Sequence, residues 1–370
     1  VDVAVIGGGI IGLSTAWRLM QRGYSVEVFE AREIGKQASW SAAGMLSPAA
    51  EIGFEELDLY RLGRESLRRW PRFAQELEGA GRRSVGYRDD GTLVVAVDRD
   101  DVESMRRLFR FQQQQGVPVT WLAGFEALEI EPLLAPGLPA AIHSPEDHQV
   151  DNRAVLLALI DALKPSEQVA IYENKRVISV EADDSGARVM LDDGESRSVK
   201  VAVVSAGAWT AGIEGIVPAP IRPIKGQILT LQANQEFEMQ HVVRGPDAYI
   251  VPKSDGRIVI GATSEDLGFD SETTAGGIYR LLEGAIEIAP GVEELEFIRS
   301  EVGFRPASRD HAPLVGWMSP RIMIATGHYR HGVLLAPVTA DEIALEVDTM
   351  LKGGKETSAW LPPFSPKRFT

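Results

Sequence analysis

The first thirty residues place apolar runs and glycines in the order typical of a strand, a tight turn, a helix and a second strand. Residues 1–6 are almost continuously apolar and predict a buried strand. Three glycines at the spacing G-x-G-x-x-G follow, and residues 13–21 then have the periodicity of a helix that a further glycine ends. Residues 25–29 predict a second strand, which an acidic residue follows. We therefore expect the chain to open with a β-α-β unit.

This opening unit matches the fingerprint of a dinucleotide-binding fold. Gly7 permits the tight turn, Gly9 lets the backbone approach a pyrophosphate, and Gly12 lets the helix pack close to the strand. Glu30 lies about 20 residues beyond the glycines, where the fingerprint has an acid that binds a ribose diol. A glycine triplet alone is more often a simple turn, but the complete unit with its acid in register favours nucleotide binding.

The rest of the chain alternates between helical and strand patterns. Helices are predicted at residues 54–78, 100–115, 151–163, 273–288 and 339–351. Strands are predicted at residues 92–97, 140–144, 169–172, 176–181, 188–191, 198–204, 221–232, 248–252, 257–262, 296–304 and 322–325.

This order predicts two discontinuous domains and a fold class of α/β plus α+β. We expect a Rossmann-type nucleotide-binding domain and a substrate-binding domain built on a mixed or antiparallel sheet. The nucleotide-binding domain is predicted to comprise residues 1–86, 145–220 and 301–370, and the substrate-binding domain residues 87–144 and 221–300. In this arrangement the loop at residues 327–337 should lie beside the first glycine turn.

Residues 34–48 form a small-residue stretch that matches neither a helix nor a strand. Ser39, Ser41, Ala42, Ala43 and Gly44 offer hydroxyls and backbone N–H groups with little side-chain bulk. Such a backbone suits phosphate oxygens and the edge of an aromatic ring system. A surface loop is the alternative, but the position just after the nucleotide unit favours a cofactor contact.

Composition narrows the class of partner. The chain has 370 residues, of which 44% are hydrophobic and 25% charged, as in an ordinary globular protein of more than one domain. Its net charge of −15 opposes binding to nucleic acid or to an anionic membrane, and no apolar run is long enough to span a bilayer. Without cysteine, disulfides, thiolate metal sites and a cofactor attached through sulfur are excluded. We expect a cytoplasmic protein that acts on small metabolites.

The predicted helix at residues 54–78 carries many charges. Its arginines alternate with acidic residues, which indicates a solvated, ion-paired face. A subunit interface in a homo-oligomer is the alternative.

Six motifs together resemble one known family. They are VIGGGIIGLSTAWRL, SAAGML, SAGAWT, AYIVPKSDGRIVIGAT, VGFRPASRDHAPLVG and ATGHYRHGVLLAPVTA. In this order they resemble the FAD-dependent amine oxidases of the D-amino acid oxidase group, from residue 1 to about residue 351. Within that group the chain is most similar to the glycine oxidases, which are associated with thiamine biosynthesis.

The resemblance implies a noncovalently bound FAD. Gly7, Gly9, Gly12 and Glu30 would contact its adenosine diphosphate half, and Val177 would meet the adenine through its backbone. Ser39 would lie near the phosphates, with Ala42, Ala43, Gly44 and Met45 beside the flavin. The other implied cofactor contacts are Ile10, Ile11, Ala31, Arg32, Ser41, Ala206, Gly207, Trp209, Arg305, His328, Tyr329, Arg330, His331, Gly332, Val333 and Leu334.

The resemblance also implies a substrate pocket. Arg305 would bind the substrate carboxylate, because a planar guanidinium forms a bidentate pair with it. Tyr249 would donate its hydroxyl to the same group, and Arg330 would lie in the loop that closes over flavin and substrate. Asp247 and Ser264 would line the same pocket. The alternatives are a structural ion pair for Arg305 and a packed sheet residue for Tyr249.

Three positions depart from the glycine oxidase pattern. Ser264 stands where those enzymes carry Met, Asp247 where they carry His, and His331 where they carry Asn. These departures bear on the substrate preference and leave the expected fold unchanged. His328 and His331 are close in sequence, but no third ligand is evident, so no metal site is expected.

The implied reaction is the oxidative deamination of glycine or a small amino acid. A hydride passes from the α carbon to the flavin, the imino acid hydrolyses, and dioxygen is reduced to hydrogen peroxide. Three alternatives stay open: a D-amino acid or sarcosine oxidase, a flavin dehydrogenase that passes electrons to a partner, and a flavin-binding subunit without turnover. The last is the least favoured, because a scaffold needs neither Arg305 nor Tyr249.

Overall fold

The computed structural model describes residues 1–216 and 220–369. Residues 217–219 and 370, which the predicted FAD-binding segments include, lie outside the described residues. The helices are α1 Ile10–Gln21, α2 Leu57–Gly81, α3 Arg99–Gln114, α4 Gly124–Ile130, α5 Asn152–Leu163, α6 Ala275–Ile288 and α7 Ala336–Lys352.

The strands follow the same chain order. They are β1 Val3–Ile6, β2 Val26–Phe29, β3 Met45–Leu46, β4 Thr92–Ala96, β5 Thr120–Ala123, β6 Ala140–Ser144, β7 His148–Gln149, β8 Val169–Tyr172, β9 Val177–Ala182, β10 Ala187–Leu191, β11 Ser196–Val199, β12 Val201–Val204, β13 Arg222–Gln232, β14 Val242–Arg244, β15 Tyr249–Pro252, β16 Arg257–Gly261, β17 Glu296–Ala307, β18 Leu314–Ser319 and β19 Ile322–Thr326.

The first of the two large sheets has six strands in the order β18-β19-β12-β1-β2-β8. Its strands are parallel except for the edge strand β18. Apolar side chains of α1, α2, α5 and α7 pack against one face of this sheet. Apolar residues of β9 and β10 pack against the opposite face. Burial on both faces explains why β1 reads as a continuous apolar run.

The glycine turn between β1 and α1 depends on close backbone contacts. Gly7 has a φ of +107°, and a Cβ there would lie 2.4 Å from the Ser205 carbonyl oxygen. A Cβ at Gly12 would lie 1.9 Å from the carbonyl oxygen of Gly7. Since real Cβ atoms do not approach backbone so closely, only glycine allows α1 to begin this near β1.

The second large sheet has eight strands in the order β17-β13-β16-β15-β14-β4-β6-β5. Its neighbours are antiparallel except for the parallel pair of β14 and β4. Residues of α6 and α4 pack on one face. On the other face, Ile228, Val251 and Val259 pack with Ala43 of the small-residue stretch, so this face is turned toward the nucleotide-binding part of the chain.

Most of the predicted elements are confirmed, with ends that differ by a few residues. One prediction is wrong: residues 198–204 are two strands, because Val199 pairs with β10 whereas Val201 pairs with β1 in another sheet. The short strands β3, β5, β7 and β14, the helix α4 and the edge strand β18 were not predicted. The predicted domain boundary at residue 301 falls inside β17.

The arginine-rich face of α2 carries the ion pairs expected of a solvated surface. Arg61 lies 3.0 Å from Asp58, and Arg68 lies 2.7 Å from Glu65. The first pair is exposed on both sides and contributes little to stability, so it mainly keeps this face polar, whereas the Glu65 side chain is only 10% exposed.

Candidate active site

A cavity of about 910 Å³ is lined by residues from both large sheets. Most residues predicted to bind cofactor or substrate line it. They are Gly7, Gly9, Ile10, Ile11, Glu30, Ala31, Arg32, Ser39, Ser41, Ala42, Ala43, Gly44, Met45, Val177, Ala206, Gly207, Trp209, Asp247, Tyr249, Ser264, Arg305, His328, Tyr329, Arg330, Gly332 and Val333.

Three of the predicted residues do not line the cavity. Gly12 is buried in α1, where it serves the close packing onto the glycine turn. Leu334 is a core residue, with 3% of its surface exposed. His331 is also buried, and its Nδ1 lies 3.3 Å from Oε2 of Glu51.

One end of the cavity is built from the glycine turn and Glu30. The Glu30 carboxylate accepts hydrogen bonds from the backbone N–H groups of Gly8 (2.9 Å) and Arg32 (3.0 Å). The Ser39 hydroxyl accepts one from the N–H of Ile10 (3.0 Å) at the start of α1. The first turn of α1 contains no acidic residue, so the positive end of its dipole is open to an anion. This end therefore has the shape and polarity for a nucleotide diphosphate.

The small-residue loop forms the wall in the middle of the cavity, and its position is fixed by two contacts. A Cβ at Gly44 would lie 2.1 Å from the Val150 carbonyl oxygen, so the loop backbone rests on that residue. The Lys253 ammonium donates to the carbonyl oxygens of Ala43 (2.6 Å) and Val150 (2.7 Å). Burial lowers the pKa of Lys253 to about 7. A wall of such small residues offers backbone rather than side chains to a flat ring system.

Glycines in the eight-stranded sheet provide the space for the two predicted substrate-binding side chains. A Cβ at Gly226 on β13 would lie 2.4 Å from Nη1 of Arg305, which projects from β17. A Cβ at Gly261 on β16 would lie 2.2 Å from the hydroxyl of Tyr249, which projects from β15. The two polar groups therefore lie flat on the sheet, where any larger residue beneath them would push them away.

The electrostatics of this pair suit the binding of an anion. Arg305 Nη1 donates to the Thr263 carbonyl oxygen at 2.9 Å, which orients the guanidinium. Burial raises the pKa of the Tyr249 hydroxyl, while the charge of Arg305 opposes that rise. Because the hydroxyl stays protonated near neutral pH, it can donate a hydrogen bond to a carboxylate that Arg305 binds.

A buried charge network that the sequence did not predict lies at the same end of the cavity. Glu51 and Arg244 both line the cavity, and Arg244 Nη1 lies 3.1 Å from Oε1 of Glu51. Burial opposes ionisation of Glu51, but Arg244, His331 and Arg330 together hold the pKa of its carboxyl well below the ordinary value. Glu51 is thus an anion that faces three cationic or polar groups.

The last loop before α7 closes this end of the cavity. Arg330 is exposed, with its guanidinium carbon 5.3 Å from the ring centre of Tyr329. Burial lowers the pKa of His328 to about 3, and its Nε2 lies 3.1 Å from Oγ1 of Thr339 on α7. His328 is therefore a neutral structural group that joins the loop to the helix.

Within residues 1–216 and 220–369, no cluster of three or more His, Asp and Glu side chains could hold a metal ion. No helix of this part of the chain is both long enough and apolar enough to cross a membrane.

Some of the unpredicted site residues had a sequence signal and others had none. Gly226 and Gly261 are single glycines inside predicted strands, which is a known sign that another group approaches the backbone. Glu51 and Arg244 have no such sign, because they meet only through the tertiary fold.

Comparison with known proteins agrees with this architecture. Residues 2–345 match the family model described as DAO, FAD dependent oxidoreductase. The glycine oxidase of Geobacillus kaustophilus is 34% identical over 98% of this chain and 96% of its own length.

Solved structures give the same picture. A glycine oxidase from Geobacillus kaustophilus superposes with a TM-score of 0.90 at 33% identity, over 98% of this chain and 97% of its own. The iminodiacetate oxidase of Chelativorans sp. BNC1 superposes with a TM-score of 0.86 at 30% identity, over 99% of both chains. The match over nearly the whole chain confirms the predicted fold class, and this protein belongs to the DAO family of FAD-dependent oxidoreductases.

Proposed function

We propose that this protein oxidises the amine of glycine or another small amino acid, with dioxygen as the electron acceptor and hydrogen peroxide as a product. The observation that carries the proposal is the placement of Arg305 and Tyr249 flat on Gly226 and Gly261. A guanidinium and a protonated hydroxyl at one end of a cavity suit a carboxylate. The similarity to glycine oxidases supports an α-amino acid as the substrate.

The residues present fit FAD as the cofactor. The turn at Gly7 and Gly9 and the open N-terminus of α1 would hold the pyrophosphate, while Glu30 would hold the adenosine ribose. Ser39 would stand near the phosphates, and Val177 would contact the adenine from the edge of the cavity. FAD held there would supply two-electron redox chemistry, as acceptor of a hydride from the α carbon and donor to dioxygen.

Orientation of the substrate is the main contribution of the protein. Arg305 would bind the carboxylate in a bidentate pair, and the Tyr249 hydroxyl would donate to one of its oxygens. With the carboxylate fixed at two points, the α carbon can occupy only a narrow range of positions. No side chain has to act as a general base, provided that the amine binds in its neutral form. Arg330 would close the cavity from the side of the solvent.

The proposed division into domains follows from the site. The segments 1–86, 145–220 and 301–370 would bind FAD, and the segments 87–144 and 221–300 would hold the substrate. Arg305 belongs to the first set by sequence but projects from β17 of the eight-stranded sheet. The substrate would therefore bind where the two sets meet.

A substrate survey tests the proposal. The purified enzyme should release peroxide with glycine, sarcosine or D-alanine. The amine with the highest kcat/KM of the three is the preferred substrate. Flavin reduction by an amine without peroxide release, restored by an artificial electron acceptor, would identify a dehydrogenase. If no amine reduces the flavin, the proposed activity is wrong.

Arg305→Ala tests the assigned role. Loss of a desolvated bidentate pair is worth roughly 3 kcal/mol, so kcat/KM should fall about a hundredfold. The dissociation constant of FAD should change far less, because the lost contact is with the carboxylate. A fall in kcat/KM of less than about threefold would remove Arg305 from the site.

A further inference from the structure

We propose that residues 266–273, between β16 and α6, form an arm that retains the cofactor, because Phe269 of this arm closes the cavity against Trp209. The inference rests on the proposed placement of FAD and concerns its release rather than the substrate. Phe269 lines the cavity, although 48% of its surface is exposed. A large apolar side chain that borders both a cavity and the solvent lies at the mouth of that cavity.

The aromatic ring of the arm joins the two large sheets. The arm follows β16 of the eight-stranded sheet, whereas Trp209 lies in the short helix Gly207–Gly212 that comes after β12 of the six-stranded sheet. The Phe269 and Trp209 rings are stacked, with their centroids 5.1 Å apart and their planes at 22°. Phe304 on β17 meets both rings edge-on, at 5.3 Å from Phe269 and 6.0 Å from Trp209. Aromatic pairs at these distances attract one another, so the arm is held to the nucleotide-binding part of the chain.

Hydrogen bonds hold the arm at its base and near its tip. At the base, the buried Gln227 donates from Nε2 to Oε1 of Glu265 (2.8 Å) and accepts at its own Oε1 from the N–H of Thr274 (2.9 Å). Near the tip, the ammonium of Lys225 donates to Oδ2 of Asp270 at 2.8 Å. The Lys225 side chain is fully buried, and a buried charge that loses its partner is costly. The arm is therefore preformed, and it leaves its position only when these contacts break.

The mouth that the arm closes is at the adenosine end of the cavity. Glu30, the proposed ribose-binding residue, accepts a hydrogen bond from the backbone N–H of Arg32 at 3.0 Å. The guanidinium carbon of Arg32 lies 5.9 Å from the ring centre of Trp209, on which Phe269 stacks. Arg32 and Trp209 both line the cavity, and Arg32 is exposed. The adenosine half of FAD would thus leave between Arg32 and the arm, and this path opens only when Phe269 parts from Trp209.

The rate of FAD release tests the arm without any amine. The FAD-loaded enzyme is diluted, and free FAD is followed by its fluorescence. Phe269→Ala should release FAD about tenfold faster than the wild type, whereas Phe269→Tyr, which keeps the ring, should stay within about threefold. Asp270→Asn should accelerate release by a smaller factor, because it weakens the pair with Lys225 and leaves the ring in place. Leu267→Ala is the matched control on the same arm, because Leu267 is 55% exposed and does not line the cavity.

Release rates also separate this inference from the proposed function. An unchanged rate in Phe269→Ala would overturn the retaining role, and so would equal acceleration in Phe269→Ala and Leu267→Ala, since that would reflect a general loosening of the arm. A raised KM for the amine with unchanged FAD release would assign the arm to substrate entry instead. If Phe269→Ala could not be folded, an unchanged rate in Asp270→Asn would decide against the arm. If no amine is oxidised, the proposed activity fails, whereas the release rates still test the retention of FAD.

Discussion

Gly226→Ala should lower kcat/KM about a hundredfold by displacing Arg305, although it adds only one methyl group. The new Cβ would lie 2.4 Å from Nη1 and 2.6 Å from the guanidinium carbon of Arg305. These distances are far shorter than any real Cβ contact. Because the crowded atoms form the end of a flexible side chain, the guanidinium will move and the strand will stay in place. Gly226 does not have a positive φ, so alanine brings no backbone strain.

The size of the effect follows from what the guanidinium would lose. A displaced Arg305 can no longer donate to the Thr263 carbonyl oxygen, now 2.9 Å away, and cannot meet a carboxylate through two parallel hydrogen bonds. Charge-assisted hydrogen bonds contribute about 1.5–3 kcal/mol each, so we expect a loss of roughly 3 kcal/mol. That corresponds to about a hundredfold in kcat/KM, close to the effect of Arg305→Ala.

The assay is kcat/KM for the best amine substrate, with the FAD dissociation constant and the unfolding temperature measured beside it. FAD affinity should stay within about threefold of the wild type. Gly276→Ala is the matched control, because beyond its own helix no atom of the described residues lies within 4 Å of its added Cβ. In the Arg305→Ala background, Gly226→Ala should cause no further loss. Wild-type activity in Gly226→Ala, or an equal loss in both backgrounds, would refute the assigned geometry.

Three further predictions concern the cofactor, the substrate and pH. Acid precipitation should release all of the flavin as free FAD, and flavin retained on the chain would indicate a covalent link through His or Tyr. Ser264→Met should shift the ratio of kcat/KM toward glycine and away from D-alanine, since a methylene is worth about 1 kcal/mol in an apolar pocket; an unchanged ratio would place Ser264 outside the pocket. Burial raises the pKa of Asp147 from 3.8 to about 7, so its folded form holds a proton that the unfolded chain releases above pH 4. The stabilisation is complete below about pH 4 and is lost as pH rises through 7, by up to roughly 4 kcal/mol. Urea unfolding should therefore show the wild type losing stability relative to Asp147→Asn between pH 5 and pH 8, and parallel pH profiles would contradict this.

The sequence predicted best what local chemistry determines. The turn at Gly7 needs a positive φ and a close backbone contact, which few residues other than glycine tolerate, so its spacing alone indicated the β-α-β unit. Long strands such as β13 were also found from their apolar pattern. The strand β12 was merged with the end of β11 because Val199 extends its apolar pattern, and only pairing with different partners separates the two strands.

What sequence could not predict depends on contacts between distant segments. β14 has three residues, too few to show a period of two, and it brings Arg244 beside Tyr249. Glu51 reaches Arg244 from a loop that is far away in sequence. The Arg305 and Tyr249 pair was implied only by family resemblance. Gly226 and Gly261 were visible in the sequence as single glycines inside strands. The side chains that cover them could not be identified from the sequence.

The strand β17 carries both a contact of the small-residue loop and the Arg305 side chain. A Cβ at Gly303 would lie 2.2 Å from Oγ of Ser41, so that loop rests directly on the strand. Arg305 follows two residues later, and its guanidinium lies over Gly226, which is the cross-strand partner of Gly303. The loop and the guanidinium therefore meet over one facing pair of glycines. A side chain at either glycine would push one of them away, so the spacing between the proposed flavin wall and the proposed carboxylate-binding group depends on two missing side chains.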